Sequence, residues 1–93
     1  KTASQIVDQI VVNPYAKQLE YADFTDVENF DNACLEKLTT TCPNLKHLSI
    51  PSAPVQSDAL KHLNKIQQLE SLNLMDCFQL EKDALKHLKA IPQ

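Results

Sequence analysis

The sequence predicts an α/β fold, a short solenoid in which parallel strands line one face and helices the other. Two observations predict it. The stretch LESLNLMDC (Leu69 to Cys77) spaces its apolar residues as LKHLSIPSA (Leu45 to Ala53) and LEYADFTDV (Leu19 to Val27) do, which gives the columns Leu19/Leu45/Leu69, Ala22/Leu48/Leu72, Phe24/Ile50/Leu74 and Val27/Ala53/Cys77. The segments that follow also match: Phe30 leads to Ala33, Leu35 and Leu38, Val55 to Ala59, Leu60, Leu63 and Ile66, and Leu80 to Ala84, Leu85, Leu88 and Ile91. A unit of 24 to 26 residues met three times, each a strand and then a helix, marks a repeat architecture. The divisions are an N-terminal helical segment, 1–18, and units 19–44, 45–68 and 69–93. The tetrapeptide LKHL, at Leu45, Leu60 and Leu85, is a false period, because its first copy falls in a strand and the others in helices.

Taken in order, Thr2 to Val12 reads as a helix: Thr2 and Gln5 have capping-box spacing, and Ile6 and Ile10 lie one turn apart beside Val7 and Val11. Asn13-Pro14 ends it, since the residue before proline is pushed out of the helical region. Its apolar face would cover the first unit, either as an N-terminal cap or as the helix of an upstream unit. The first unit's helix runs from Asn32 to about Thr41, with Asn32 or Asp31 as its cap, and stops at Cys42-Pro43. Asp58 and Asp83 are the expected caps of the next two helices, whose later turns carry Lys61, Lys65, Lys86 and Lys89. Cys34 is expected to be packed or partly exposed on the first unit's helix. Lys1 in place of a starting Met suggests a chain that begins further upstream, and an uncapped last strand suggests that further units or a partner follow.

These motifs resemble the leucine-rich repeat family. The LxxLxL spacing followed by Cys77, and CPNLKHL at Cys42 to Leu48, are nearest its cysteine-containing subtype, familiar from the substrate-binding arms of F-box proteins. The resemblance covers Leu19 to about Ile91. It implies a solenoid with a concave strand face, and a role in protein interaction. The family's Asn or Cys at the ninth repeat position is met only in Cys77, with Val27 and Ala53 elsewhere, which argues against a regular internal ladder of side-chain hydrogen bonds there.

Composition excludes several functions. Glycine is absent, so no glycine-rich loop can cradle phosphates, and nucleotide-binding fingerprints are ruled out. Every basic residue is Lys, and the net charge is -3, which argues against nucleic acid. No apolar run approaches the length of a membrane span and no secretory leader is evident, so a soluble chain is expected. Three cysteines, an odd number, make neither a disulfide framework nor a paired metal motif, and a cytoplasmic, reducing compartment follows as the expected home.

No catalytic, cofactor or metal site is predicted. His62 and His87 share a repeat position on neighbouring helices but lack a third ligand, and they read as solvent-facing residues. Cys77 reads as a buried structural thiol; a hydrolase would need it accessible, with a base and an oxyanion hole beside it. Asp23, Asp26 and Asp76 lack a calcium-loop pattern and read as a solvated acidic face.

Charge placement is more informative. Strand segments 19–27, 45–53 and 69–77 carry Glu20, Asp23, Asp26, Glu70 and Asp76 against Lys46, a net of -4, while helical segments 32–42, 58–66 and 83–91 carry a net of +2. The outward residues form columns: Tyr21, His47 and Ser71; Asp23, Ser49 and Asn73; Thr25, Pro51 and Met75. Such a face suits a protein or peptide, with Tyr21 and Met75 as anchors and the acids steering a basic partner. The expected partner-binding residues are Tyr21, Asp23, Asp26, His47, Ser49, Ser71, Asn73 and Met75. The leading expectation is a protein-interaction module within a larger protein or assembly. Two alternatives are a substrate arm of an F-box-type ubiquitin ligase, implied only by the resemblance, and an assembly subunit that docks through its ends.

Overall fold

The computed structural model describes residues 2–81 and Ala84. It is a mixed α/β domain with three parallel strands in an open sheet. The order is α1 (Ala3–Val11), a 3-10 helix (Ala16–Gln18), β1 (Tyr21–Asp23), α2 (Asn32–Thr41), β2 (His47–Ser49), a long 3-10 helix (Ser57–Lys65) and β3 (Ser71–Asn73). Predicted features at Asp83, Leu85, Lys86, His87, Leu88, Lys89 and Ile91 lie outside the described residues.

Helix α1 starts where its capping box predicts. Thr2 Oγ1 accepts from the Gln5 N–H and Gln5 Oε1 accepts from the Thr2 N–H, so two otherwise unmet donors are satisfied. Its buried face is Ala3 and Val7, with Ile6 and Ile10 half-buried beside them. The Ala3 N–H also donates to the Glu28 carbonyl at 2.9 Å, which ties the helix start to the segment before α2.

In α2, Asp31 takes the capping role, its Oδ1 accepting from the Cys34 N–H at 3.0 Å. The helix buries Cys34, Leu35, Leu38 and Thr39, an i, i+1, i+4, i+5 pattern suited to 3.6 residues per turn. Cys34 therefore lies fully in the core, not at a partly exposed surface. Thr39 is tolerated inside because its hydroxyl donates to the Leu35 carbonyl at 2.8 Å.

The next helical segment departs from expectation in two ways. It is 3-10 over nine residues, and it begins at Ser57, so Asp58 sits in the first turn and is not the cap; Gln56 holds that position without a side-chain bond. Most of its buried residues suit this geometry: Ser57, Leu60, Leu63 and Ile66 recur every third residue, as the three residues per turn of a 3-10 helix require, with Ala59 buried beside them. With about 2.0 Å of rise per residue against 1.5 Å, this segment spans roughly 18 Å where the ten-residue α2 spans roughly 15 Å. The shortest unit thus keeps pace with its neighbour.

The strands pair in sequence order, Tyr21 with His47 with Ser71, Ala22 with Leu48 with Leu72, and Asp23 with Ser49 with Asn73. The approach to each strand repeats as well. The Glu20 carbonyl accepts from the Lys46 and His47 N–H groups, and the Lys46 carbonyl accepts from those of Glu70 and Ser71. Helix α1 packs on α2, and α2 packs on the long 3-10 helix. Between helices and sheet lies one core, in which the middle unit's Leu45, Leu48, Ile50, Val55, Leu60 and Leu63 are almost wholly buried.

Side chains also link one unit to the next. Asn32 Oδ1 accepts from the Gln56 N–H at 2.9 Å, and Ser57 Oγ accepts from the Glu81 N–H at 2.8 Å, two rungs at the same position in successive units. Asn44 Nδ2 donates to the Lys17 carbonyl at 2.6 Å, and Lys65 Nζ to Thr40 Oγ1 at 2.8 Å. The Cys77 thiol donates to the Ile50 carbonyl at 3.3 Å.

Candidate partner-binding face

Alternation along the strands places the predicted residues. Ala22 and Leu48 turn into the core, so Tyr21, Asp23, His47, Ser49, Ser71 and Asn73 stand on the opposite face, which no described helix covers. The strand register brings Tyr21 beside His47, and their rings stack with centroids 4.2 Å apart and planes inclined by 25°. On the other side of His47, its Nε2 lies 3.9 Å from Glu70 Oε1. Tyr21 is 67% exposed and Met75 66% exposed.

The second column has a structural duty that the sequence reading did not assign. Asp23 Oδ1 accepts from both the N–H and the hydroxyl of Thr25, at 2.9 and 2.6 Å, and Asn73 Oδ1 accepts from the Met75 N–H at 2.9 Å. Both are Asx turns that close the strand end. The two bonds from Thr25, that from its hydroxyl foremost, hold the Asp23 carboxyl below its ordinary range, so it stays ionised. Asn73 Nδ2 also donates to Ser49 Oγ at 3.1 Å, a polar link across the open face.

Each strand then enters a turn with a left-handed residue. Asp26, Ser52 and Asp76 hold the same place in the three units, with φ of 64°, 59° and 59°. A turn of this kind favours glycine, and the chain has none. Asp26 is exposed there, beside an open depression of about 700 Å³ lined by Thr25, Glu28, Asn29, Pro51 and Ser52. A smaller hollow of about 120 Å³ lies over the strands between Tyr21, Asp23, His47 and Ser49.

The acidic character of the face is partly compensated. Lys46 Nζ is 3.8 Å from Glu20 Oε2, which leaves Asp23 and Asp26 as the carboxylates on β1 and its turn without a cationic neighbour within 4 Å among the described residues.

The remaining reactive groups are placed elsewhere. Cys34, Cys42 and Cys77 are free thiols, all buried, and burial pushes each thiol up from its ordinary range. His62, expected to face solvent, is half-buried, and desolvation followed by the charge of Lys65 pulls it down. Among the described residues no three His, Cys, Asp or Glu side chains gather to hold a metal ion. No helix among them is long and apolar enough to cross a membrane. Sequence reading also passed over Phe78, Val12 and Tyr15, which are large exposed apolar residues in loops or at a helix end, where no periodicity marks them.

No protein-family model matches the chain, and no curated protein is significantly similar to it.

Proposed function

We propose that the chain is a leucine-rich-repeat solenoid segment that binds a protein or peptide through its open strand face, as part of a larger protein or assembly. The solenoid reading is supported by the links between units. Asn32 to Gln56, Ser57 to Glu81, Ser49 to Asn73 and Thr40 to Lys65 all join residues 24 or 25 apart, about one unit's length. Units that touch only their sequence neighbours are the defining contact pattern of such arrays.

The observation that carries the binding reading is the stacked Tyr21–His47 pair, held in register on an uncovered sheet, with Met75 also exposed two residues beyond β3. Rigid aromatic side chains that lie exposed lose little entropy when a partner covers them, which is why they recur as interface anchors. A shallow sheet suits this role better than catalysis, since it cannot exclude water from a reaction.

The test is affinity capture from a lysate of the source cell, with the protein compared against a Tyr21→Ala, His47→Ala, Met75→Ala variant of matching circular dichroism. A partner retained by the first and lost by the second supports the face as the binding site. A partner held equally by both moves the site to the solenoid ends or the helices.

A further inference from the structure

We infer that the open strand face takes an extended, lysine- or arginine-bearing segment of another protein, laid along β1 and β2 from the Tyr21–His47 stack to the turns beyond. The inference rests on the reading of that face as a binding surface and adds the chemistry of the guest.

The shape comes first. The hollow over Tyr21, Asp23, His47 and Ser49 and the larger depression at Thr25, Asp26, Glu28 and Pro51 follow one another along β1 and its turn, and Asp23 of the first accepts a 2.6 Å hydrogen bond from Thr25 of the second. Together they form a track along the strand direction. An extended guest repeats its side chains about every 6.6 to 6.8 Å, the same pitch as the outward residues of β1, so alternate guest residues meet successive positions of the track.

Charge selects the guest. The two hollows are lined by Asp23, Asp26 and Glu28 and by no lysine, and Lys46 on the adjacent strand segment already neighbours Glu20. Asp23 accepts both Thr25 bonds on Oδ1, which leaves Oδ2 for a guest donor. Because those bonds also favour the ionised carboxyl, a fixed negative charge stands at the middle of the track. Tyr21 stacks on His47 by one ring face only and is otherwise exposed, so its other face is open to an ammonium or guanidinium group by cation–π attraction. One cation then lies between Tyr21 and Asp23, and a second reaches Asp26 and Glu28.

The experiment uses fluorescence anisotropy with a short labelled peptide of alternating lysine and alanine, its arginine counterpart and a glutamate–alanine control. The main variant is Asp23→Asn, Asp26→Asn, Glu28→Gln. Asparagine keeps the turns, since Asn73 caps the third strand as Asp23 caps the first, and Asn29 already adopts φ of 65°. Binding of the basic peptides to the native protein is expected, with affinity weakened about tenfold or more in this variant and in Tyr21→Ala, circular dichroism being unchanged.

Several results would overturn the inference. These are equal binding of the acidic peptide, no binding of the basic ones, binding undiminished in either variant, or self-association in sedimentation that buries the face. If the basic peptides fail while Tyr21→Ala, His47→Ala, Met75→Ala still loses a captured partner, the guest's chemistry is wrong and the binding face stands. If that capture is also unaffected, both fall.

Discussion

Replacing Ser52 by glycine should make this protein more stable. Ser52 holds φ of 59°, in the left-handed region, where an L-residue's Cβ crowds the backbone at a cost of about 1–2 kcal/mol. Glycine removes that cost, but it adds freedom to the unfolded chain worth roughly 0.5–1 kcal/mol. The serine side chain is exposed, and the one bond that matters, from the Ser52 N–H to the Met75 carbonyl at 2.7 Å, is made by the backbone and survives. The net expectation is a gain of about 0.5–1 kcal/mol. In urea melts, with a slope of about 1 kcal/mol/M for a chain this small, the midpoint should rise by roughly 0.5–1 M. Ser52→Val should move it the other way and further, since a β-branched residue is a true outlier at positive φ. Glycine at Asp26 or Asp76 should gain less, because aspartate tolerates this region better than most residues. A lower midpoint for Ser52→Gly together with an unchanged one for Ser52→Val would refute the left-handed turn, and with it the equivalence of the three turns.

Other outcomes follow from the same geometry. Leu48→Ala, which empties a position 1% exposed in the central strand, should cost about 2–5 kcal/mol, and Leu72→Ala, at a half-buried position on β3, should cost less; equal losses in denaturant melts would count against the stacking order. His62 is pulled below its usual 6.5 by desolvation, so the unfolded chain binds its proton more readily. Stability from this source is therefore full above about pH 6.5 and falls as pH drops through the lower folded value, and His62→Gln should flatten that part of a pH-dependent melt. Cys34, Cys42 and Cys77 should react with a thiol reagent only as fast as the protein opens, with a rate that climbs steeply in urea; fast native-state labelling of Cys77 would contradict its burial and its bond to Ile50.

Much of this architecture could be read from residue patterns because it follows from burial. The Thr2/Gln5 spacing located α1, the Asp31 and Pro43 signals bounded α2, and the apolar columns predicted which strand residues pair. What escaped had no burial signal of its own. Asn32 and Ser57 look like ordinary surface residues in the sequence, and only the spacing of one unit between them hints that both bond the next backbone. Asp23 reads as a free acid until the turn at Thr25 forms around it. The three-residue spacing of Leu60, Leu63 and Ile66 suits a 3-10 helix but equally part of an α-helical face, so the pattern alone does not separate the two. For the candidate site, alternation identified the outward residues and the register implied the Tyr21–His47 contact. The compensation of Glu20 by Lys46 depends on side-chain rotamers that no pattern encodes.

The repeated carbonyl arrangement, Glu20 bonded to Lys46 and His47, then Lys46 bonded to Glu70 and Ser71, has a kinetic meaning. Each strand pairing closes a loop of about 25 residues, at an entropic cost of roughly 3 kcal/mol apart from a constant. Neither pairing must wait for the other to shorten its path, so the sheet can begin at either of its two junctions with nearly equal ease. What distinguishes the junctions is the side chains that reward closure: Ala22 against Leu48 at one, Leu48 against Leu72 at the other. Leu72 is larger than Ala22 but only half-buried, whereas the first junction also buries Phe24 and Phe30, whose ring centroids lie 4.6 Å apart, so folding should start between β1 and β2 and spread toward β3.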